Sequence, residues 1–302
     1  MFRPLEHGQL TVLTRLAYCK SIGLRNPSGS GEKLRFSLVL RSAQRTVSRK
    51  RSRRPAPLSR RSDMQYRIVR IPKGNGRFRE LTIPSREDRA RLRRLLPELE
   101  RTLDRLDTQG ANYAFQRKKN CALKALQHIG YRYTLSMDLE DFFGCVTPNH
   151  VAKIIPESII QQCFIDGTAK QGLPTSPIIA TIAFLPFDKR ITNALAKIGI
   201  DAVYTRYADD LVFSFQDHNS AGKIKTVVRQ IVTDGGFRMN ETKTRLQDAK
   251  NGRKVITGIA IDHHGLHSTR RTKKKIRAAL HQDNQDSLKG LTEWSKCKLP
   301  GI

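Results

Sequence analysis

Two adjacent carboxylates set between two β-forming runs constrain this chain more than any other stretch. The run Tyr204-Thr205-Arg206-Tyr207-Ala208-Asp209-Asp210-Leu211-Val212-Phe213-Ser214-Phe215 reads as two short strands around a tight turn, with β-branched and aromatic residues on both sides. Leu211, Phe213 and Phe215 alternate with Val212 and Ser214, so the second strand has one apolar face. Like charges side by side repel, and a fold that presents both aspartates calls for a cation between or beside them. Asp-Asp is also good turn chemistry, and for an isolated pair an ordinary hairpin is the competing reading.

The rest of the chain bears on that choice through its charge. Over 302 residues the formal net charge is +29, with an isoelectric point near 10.5. Such a field favours a polyanion, and neutralising phosphates would make the binding strongly salt-dependent. A membrane surface is the other polyanion, but no apolar run approaches the roughly 20 residues needed to span a bilayer. The five cysteines (Cys19, Cys121, Cys145, Cys163, Cys297) are odd in number and scattered, with no Cys-x-x-Cys pair, so neither a disulfide framework nor a zinc site is indicated. With no signal segment at the N-terminus, the expected compartment is the cytoplasm.

Residues 1–62 differ from the remainder. From Arg41 to Arg61 the chain is rich in Arg, Ser and Pro and lacks any acidic residue. It reads as a disordered basic tail or as an RNA-binding arm that orders on contact. Beyond it, Tyr66–Pro72 and Arg77–Ile83 form an expected hairpin around Lys73-Gly74-Asn75-Gly76. Leu92, Leu95, Leu96, Leu99, Leu103 and Leu106 follow helical spacing, with arginines on the opposite face. Tyr133–Phe143 reads as a buried strand running into a bend, with Asp138 at its exit. A carboxylate there is costly unless hydrogen-bonded or paired with a cation, and a capping role is the alternative.

Gln171-Gly172-Leu173-Pro174-Thr175-Ser176-Pro177 is a punctuated loop leading into a helix from about Ile178 to Leu195, with Ser176 expected as its N-cap. A helix carrying Ile224, Val227, Val228, Ile231 and Val232 follows and stops at Gly235-Gly236. Val255–Ile261 reads as one strand, and Arg270–Leu280 as a basic helix. His263, His264 and His267 read as a polar turn rather than a metal site.

In this order the motifs resemble those of reverse transcriptases. Tyr207-Ala208-Asp209-Asp210 is similar to that family's central tetrad, and Asp138–Phe143 to the preceding metal-binding motif. Gln171–Pro177 is similar to the loop over the incoming nucleotide and template. Lys243 lies in an Asn-x-x-Lys-like segment, and Val255–Ile259 resembles the strand that precedes the thumb. Within the superfamily the likeness is to bacterial retron enzymes, with two departures. An Asn-Ala-x-x-His signature reads here Lys124-Ala125-Leu126-Gln127-His128, and a Val-Thr-Gly triplet reads Ile256-Thr257-Gly258.

The resemblance implies an α+β right-hand polymerase fold with an antiparallel palm sheet, mixed fingers and a small helical thumb. The division it implies is residues 1–62 as a basic segment, 63–262 as fingers and palm, and 263–302 as an abbreviated thumb. It implies two Mg²⁺ ions, held by Asp138 and Asp209 with the Leu139 carbonyl and Asp210 in support. Lys243 becomes the general acid toward pyrophosphate, and Arg79 the clamp on the triphosphate. Gln171 and Gly172 fall beside the incoming nucleotide, and Phe143 is a plate against a ribose 2′-hydroxyl, with a core phenylalanine as the alternative. The implied partners are a structured noncoding RNA template, its cDNA product, deoxynucleotides and an effector protein, with no membrane, in anti-phage defence. A mobile-element reverse transcriptase of the group II intron type and a catalytically idle RNA-binding scaffold are the competing functions.

Overall fold

The computed structural model describes residues 64–299 apart from Asn75; the expectations for residues 1–62 lie outside them. Strands β1 (Tyr66–Gly74) and β2 (Arg77–Pro84) form the expected antiparallel hairpin. Helix α1 (Arg86–Leu106) follows, capped by the Ser85 hydroxyl, which accepts from the Asp88 amide at 3.1 Å. That bond satisfies one of the amides a helix start leaves unpaired. Leu92, Leu99 and Leu103 are the buried residues of α1, as the spacing predicts, and its arginines Arg86, Arg93, Arg94, Arg101 and Arg105 are exposed.

The centre of the molecule is a four-stranded antiparallel sheet in the order β4-β5-β3-β6. Its members are β3 (Tyr133–Glu140), β4 (Ala202–Tyr207), β5 (Asp210–Phe215) and β6 (Arg238–Asp248). Leu135, Met137 and Leu139 of β3 join Leu211, Phe213 and Phe215 of β5 on one face. Against them pack α1, the long helix α5 (Ser176–Lys197) and α6 (Ser220–Asp234). Each such large apolar side chain contributes about 1.5–3 kcal/mol when fully buried. The first half of α5 is apolar all round, because it runs through the core rather than along its surface.

The opposite face is also covered, which the alternation in β5 does not reveal. Val212 packs with Cys121, Ala122 and Ala125 of a short helix, α2 (Cys121–Leu126), and with Ile256, Ile259 and Ile261. Ser214 and Thr134 are fully buried there. They are satisfied by one another at 2.7 Å and by His128, whose Nδ1 lies 2.9 Å from Ser214 Oγ and whose Nε2 lies 2.6 Å from Thr205 Oγ1. Such bonds remove most of the cost of burying polar groups.

Two expectations change, and one strand is unforeseen. Val255–Ile261 is two strands, β7 (Lys254–Ile256) and β8 (Ile259–Asp262), which continue into β9 (Gly265–Ser268). Between β7 and β8, Thr257 (φ 46°) and Gly258 (φ 82°) turn the chain, the geometry of a two-residue hairpin loop. The N-cap of α5 is Thr175, not Ser176: the helix already includes Ser176, and Pro177 follows inside the first turn. Residues Arg238–Asp248, which carry no clean alternation, form a strand because β3 offers them a backbone ladder. Helices α3 (Phe142–Cys145) and α4 (Glu157–Cys163) fill the stretch before α5, and α7 (Arg270–His281) and α8 (Gln285–Ser295) end the described chain. His263 and His264 form the β8–β9 turn, and His267 Nε2 lies 2.9 Å from Asp262 Oδ1. Cys121, Cys145, Cys163 and Cys297 are free thiols.

Candidate active site

The strand pairing decides which carboxylates meet. Asp138 of β3 is the register partner of Asp210 at the start of β5. The Leu139 amide donates to the Asp209 carbonyl at 2.9 Å, so the β4–β5 turn is tied to the exit of β3. Strand period puts Asp138 on the face opposite Met137 and Leu139, away from the larger hydrophobic cluster and on the side of Ser136 and Val212. Ala208 holds the turn in the left-handed region, φ 54°, a conformation that costs a residue with a Cβ about 1–2 kcal/mol. Burial, then the neighbouring Asp138 charge, push the Asp209 carboxyl above its ordinary range, with Asp210 adding to the effect. Lys243 opposes it.

Lys243 reaches this cluster through an irregularity in β6. Ser136 pairs with Arg245 but Asp138 pairs with Asn240, so residues 241–244 leave the ladder. The Lys243 Nζ then donates to Asp138 Oδ2 at 2.8 Å. A bulge of this kind re-aims a side chain next to a site without moving the sheet.

The third carboxylate is engaged elsewhere. Asp210 Oδ2 accepts from Lys124 Nζ at 2.9 Å and from Thr257 Oγ1 at 2.6 Å. Among the described residues no group of three or more His, Cys, Asp or Glu side chains is disposed to hold a metal ion. Beneath the turn lies a second buried pair. Arg206 forks onto both oxygens of Asp188 at 2.7–3.1 Å, Tyr204 adds a hydroxyl bond to Asp188 at 2.7 Å, and Arg206 Nη1 donates to the Ala208 carbonyl at 3.3 Å. Motif reading assigned no role to Arg206, Asp188, Lys124 or Thr257. The available signal was a charge inside an apolar run, since a basic residue in a strand or helix core needs a partner.

The remaining candidates gather at a cleft of about 330 Å³ between the β1–β2 hairpin and the exit of β3. Arg79, Phe143 and Gln171 all line it, with Lys73 and Asp141. Phe143 is half-buried, its ring 5.6 Å from that of Phe142. Gly172 does not line the cleft. At φ 107° a Cβ there would come within 2.4 Å of the Thr82 carbonyl, while the Thr82 amide donates to the Gln171 carbonyl at 2.7 Å. The glycine therefore lets the loop dock flat on β2, which presents Gln171.

The oxygen donors Asp138 and Asp209, one of them with a raised carboxyl, fit a hard divalent cation. No helix of the described residues is long and apolar enough to cross a membrane. Residues 71–259 match the reverse transcriptase (RNA-dependent DNA polymerase) family. The chain is 31% identical over 231 residues to the retron Ec86 reverse transcriptase of Escherichia coli, covering 73% of this chain and 70% of that one. It is 29% identical over 245 residues to the retron Mx65 reverse transcriptase of Myxococcus xanthus, covering 72% of this chain and 56% of that one. Among solved structures, telomerase from Candida tropicalis in complex with a fragment of telomeric RNA superposes with a TM-score of 0.50 at 16% identity, over 68% of this chain and 44% of that one. That likeness bears on the fold alone, an α+β right hand built on an antiparallel palm sheet. The motif order, the paired carboxylates at the palm turn and these matches together make the chain a member of the reverse transcriptase family, in the retron group.

Proposed function

We propose that this chain copies a structured noncoding RNA into DNA at the Asp138–Asp209 pair, with two Mg²⁺ ions as cofactors. The observation that carries the reading is the tie between the β3 exit and the β4–β5 turn, which sets two mutually repelling carboxylates beside one another at the end of the palm sheet. Asp138, Asp209 and the Leu139 carbonyl are the groups that would hold the ions, while the expected support from Asp210 is not available because its carboxylate is taken up by Lys124 and Thr257. Two Mg²⁺ ions bound there would supply Lewis acidity to the primer hydroxyl and charge neutralisation to the departing pyrophosphate.

The chain's own residues do the rest. Arg79 binds triphosphate oxygens through its planar fork, and Gln171 contacts the incoming nucleotide from the same cleft. Phe143 closes the sugar side of that cleft and excludes a 2′-hydroxyl by contact. Gly172 acts through the seating of its loop. Lys243, held on Asp138 at 2.8 Å, delivers a proton to the leaving pyrophosphate. The β1–β2 hairpin and α1 serve as fingers, the four-stranded sheet as palm, and the helices after residue 262 as thumb. The exposed basic residues of α7 (Arg270, Arg271, Lys273, Lys274, Lys275, Arg277) would track the template–product backbone. A cytoplasmic defence role, with an effector protein as partner, rests on likeness to the retron group.

Asp209→Asn should abolish primer extension on an RNA template while leaving RNA binding intact; extension at the wild-type rate would overturn the assignment. Phe143→Ala should raise ribonucleotide incorporation relative to deoxyribonucleotide incorporation in the same assay. Sequencing the nucleic acid that copurifies with the protein should recover RNA joined to its complementary DNA.

A further inference from the structure

Lys124 has no part in that scheme, yet its ammonium is fully buried beside the site. Its side chain is 0% exposed, and Asp210, its partner, is 26% exposed. A buried ammonium is tolerated only when its donors are matched. Lys124 has three N–H donors and three acceptors: Asp210 Oδ2 at 2.9 Å, the Asp210 carbonyl at 3.0 Å and Thr257 Oγ1 at 3.0 Å. Thr257 in turn donates to Asp210 Oδ2 at 2.6 Å.

Thr257 supplies the independent observation. It is β-branched and held at φ 46° in a two-residue turn, where glycine or asparagine would sit at lower cost. Strain of roughly 1–3 kcal/mol at such a position persists only where the surroundings demand that side chain. What they demand here is the hydroxyl, which completes the cage around Asp210. The cage draws on α2, β5 and the β7–β8 turn, three elements distant in sequence.

Resting on the two-carboxylate metal site proposed above, we infer that Lys124 and Thr257 hold the Asp210 carboxylate back from that site, and that the Lys124 charge weakens its grip on divalent ions. Lys124 is thus a positioning residue. It leaves Asp138 and Asp209 as the carboxylate donors and places a positive charge near enough to Asp209 to act on it. A weaker grip suits a site whose ions must come and go with each triphosphate and pyrophosphate. If the cage were only a structural staple, its loss would loosen the turn and weaken metal binding. If it is a charge restraint, its loss tightens metal binding, so the direction of the change separates the two.

The test uses the full chain and Mn²⁺ alone as the probe, with bound and free ion distinguished by electron paramagnetic resonance in the absence of nucleotide and nucleic acid. Lys124→Met should bind Mn²⁺ more tightly by about tenfold or more, because a positive charge close to a divalent ion is removed. Lys124→Met combined with Asp210→Asn should return toward the wild-type affinity, because the net charge at the site is then restored. Thr257→Val keeps the ion pair and removes one bond to Asp210, so it should shift affinity the same way by less; it also carries the test if Lys124→Met fails to fold. Lys124→Met or Thr257→Val binding Mn²⁺ no more tightly than wild type would overturn the inference. Asp209→Asn should lose Mn²⁺ binding whatever Lys124 does, and retention of wild-type binding there would instead sink the metal site itself.

Discussion

Two cation–aspartate pairs bracket the β4–β5 turn, and they differ in how far each is closed off from water. Arg206 and Asp188 are 0% and 1% exposed, and lie beneath the turn where helix α5 meets β4. Lys124 and Asp210 are 0% and 26% exposed, and lie beside it. The first pair uses the rigid fork of a guanidinium to fix geometry: both Asp188 oxygens, and the Ala208 carbonyl that shapes the left-handed residue. The second uses a compact ammonium, which matches point acceptors and contributes charge more than direction. The contrast teaches that burying a charge near a site serves two separable purposes. One pair shapes the turn, and the other adjusts the field around it.

Breaking the closed pair should have the largest effect. Arg206→Met leaves Asp188 sealed in the core without a counter-charge and should cost about 3–5 kcal/mol of stability, read by urea unfolding. Lys124→Met leaves Asp210 able to turn toward water and should cost less, about 1–3 kcal/mol in the same measurement. Equal costs for the two would erase the distinction drawn between them.

The smallest effect lies with His128, buried next to the second pair. Burial, then the Lys124 and Lys254 charges, hold its imidazole well below its ordinary 6.5. The unfolded chain therefore takes up a proton near pH 6.5 that the folded chain refuses. Stability is fully present above that pH and falls as the pH drops below it, by at most about 1.4 kcal/mol per unit for one group. Melting temperature should decline from pH 7 to pH 5 in the wild type, and His128→Gln should flatten that slope. Lys124→Met should flatten it in part, because one of the charges opposing protonation is gone.

Local residues made the elements around the candidate site legible. The β-forming runs on either side of Asp209-Asp210 mark a turn, and Asp138 stands out as a carboxylate after an apolar strand, but each has an ordinary structural reading until the order of the motifs is taken together. The leucines of α1 follow from helical spacing, and the Gly172 loop from its punctuation. Those signals lie within a few residues of the groups they mark, and motif order joined them into a family. Tertiary structure alone decided the rest. Strand β6 exists because β3 lends it a ladder, not because its residues alternate. Thr257 turns a hairpin inside what reads as a single strand. Lys124 meets Asp210 and Thr257 across 86 and 133 residues of chain. A buried charge declares in the sequence only that it must have a partner. Which partner it finds depends on how the sheet, helix α2 and the β7–β8 turn pack, and so on contacts between surfaces that no local pattern encodes.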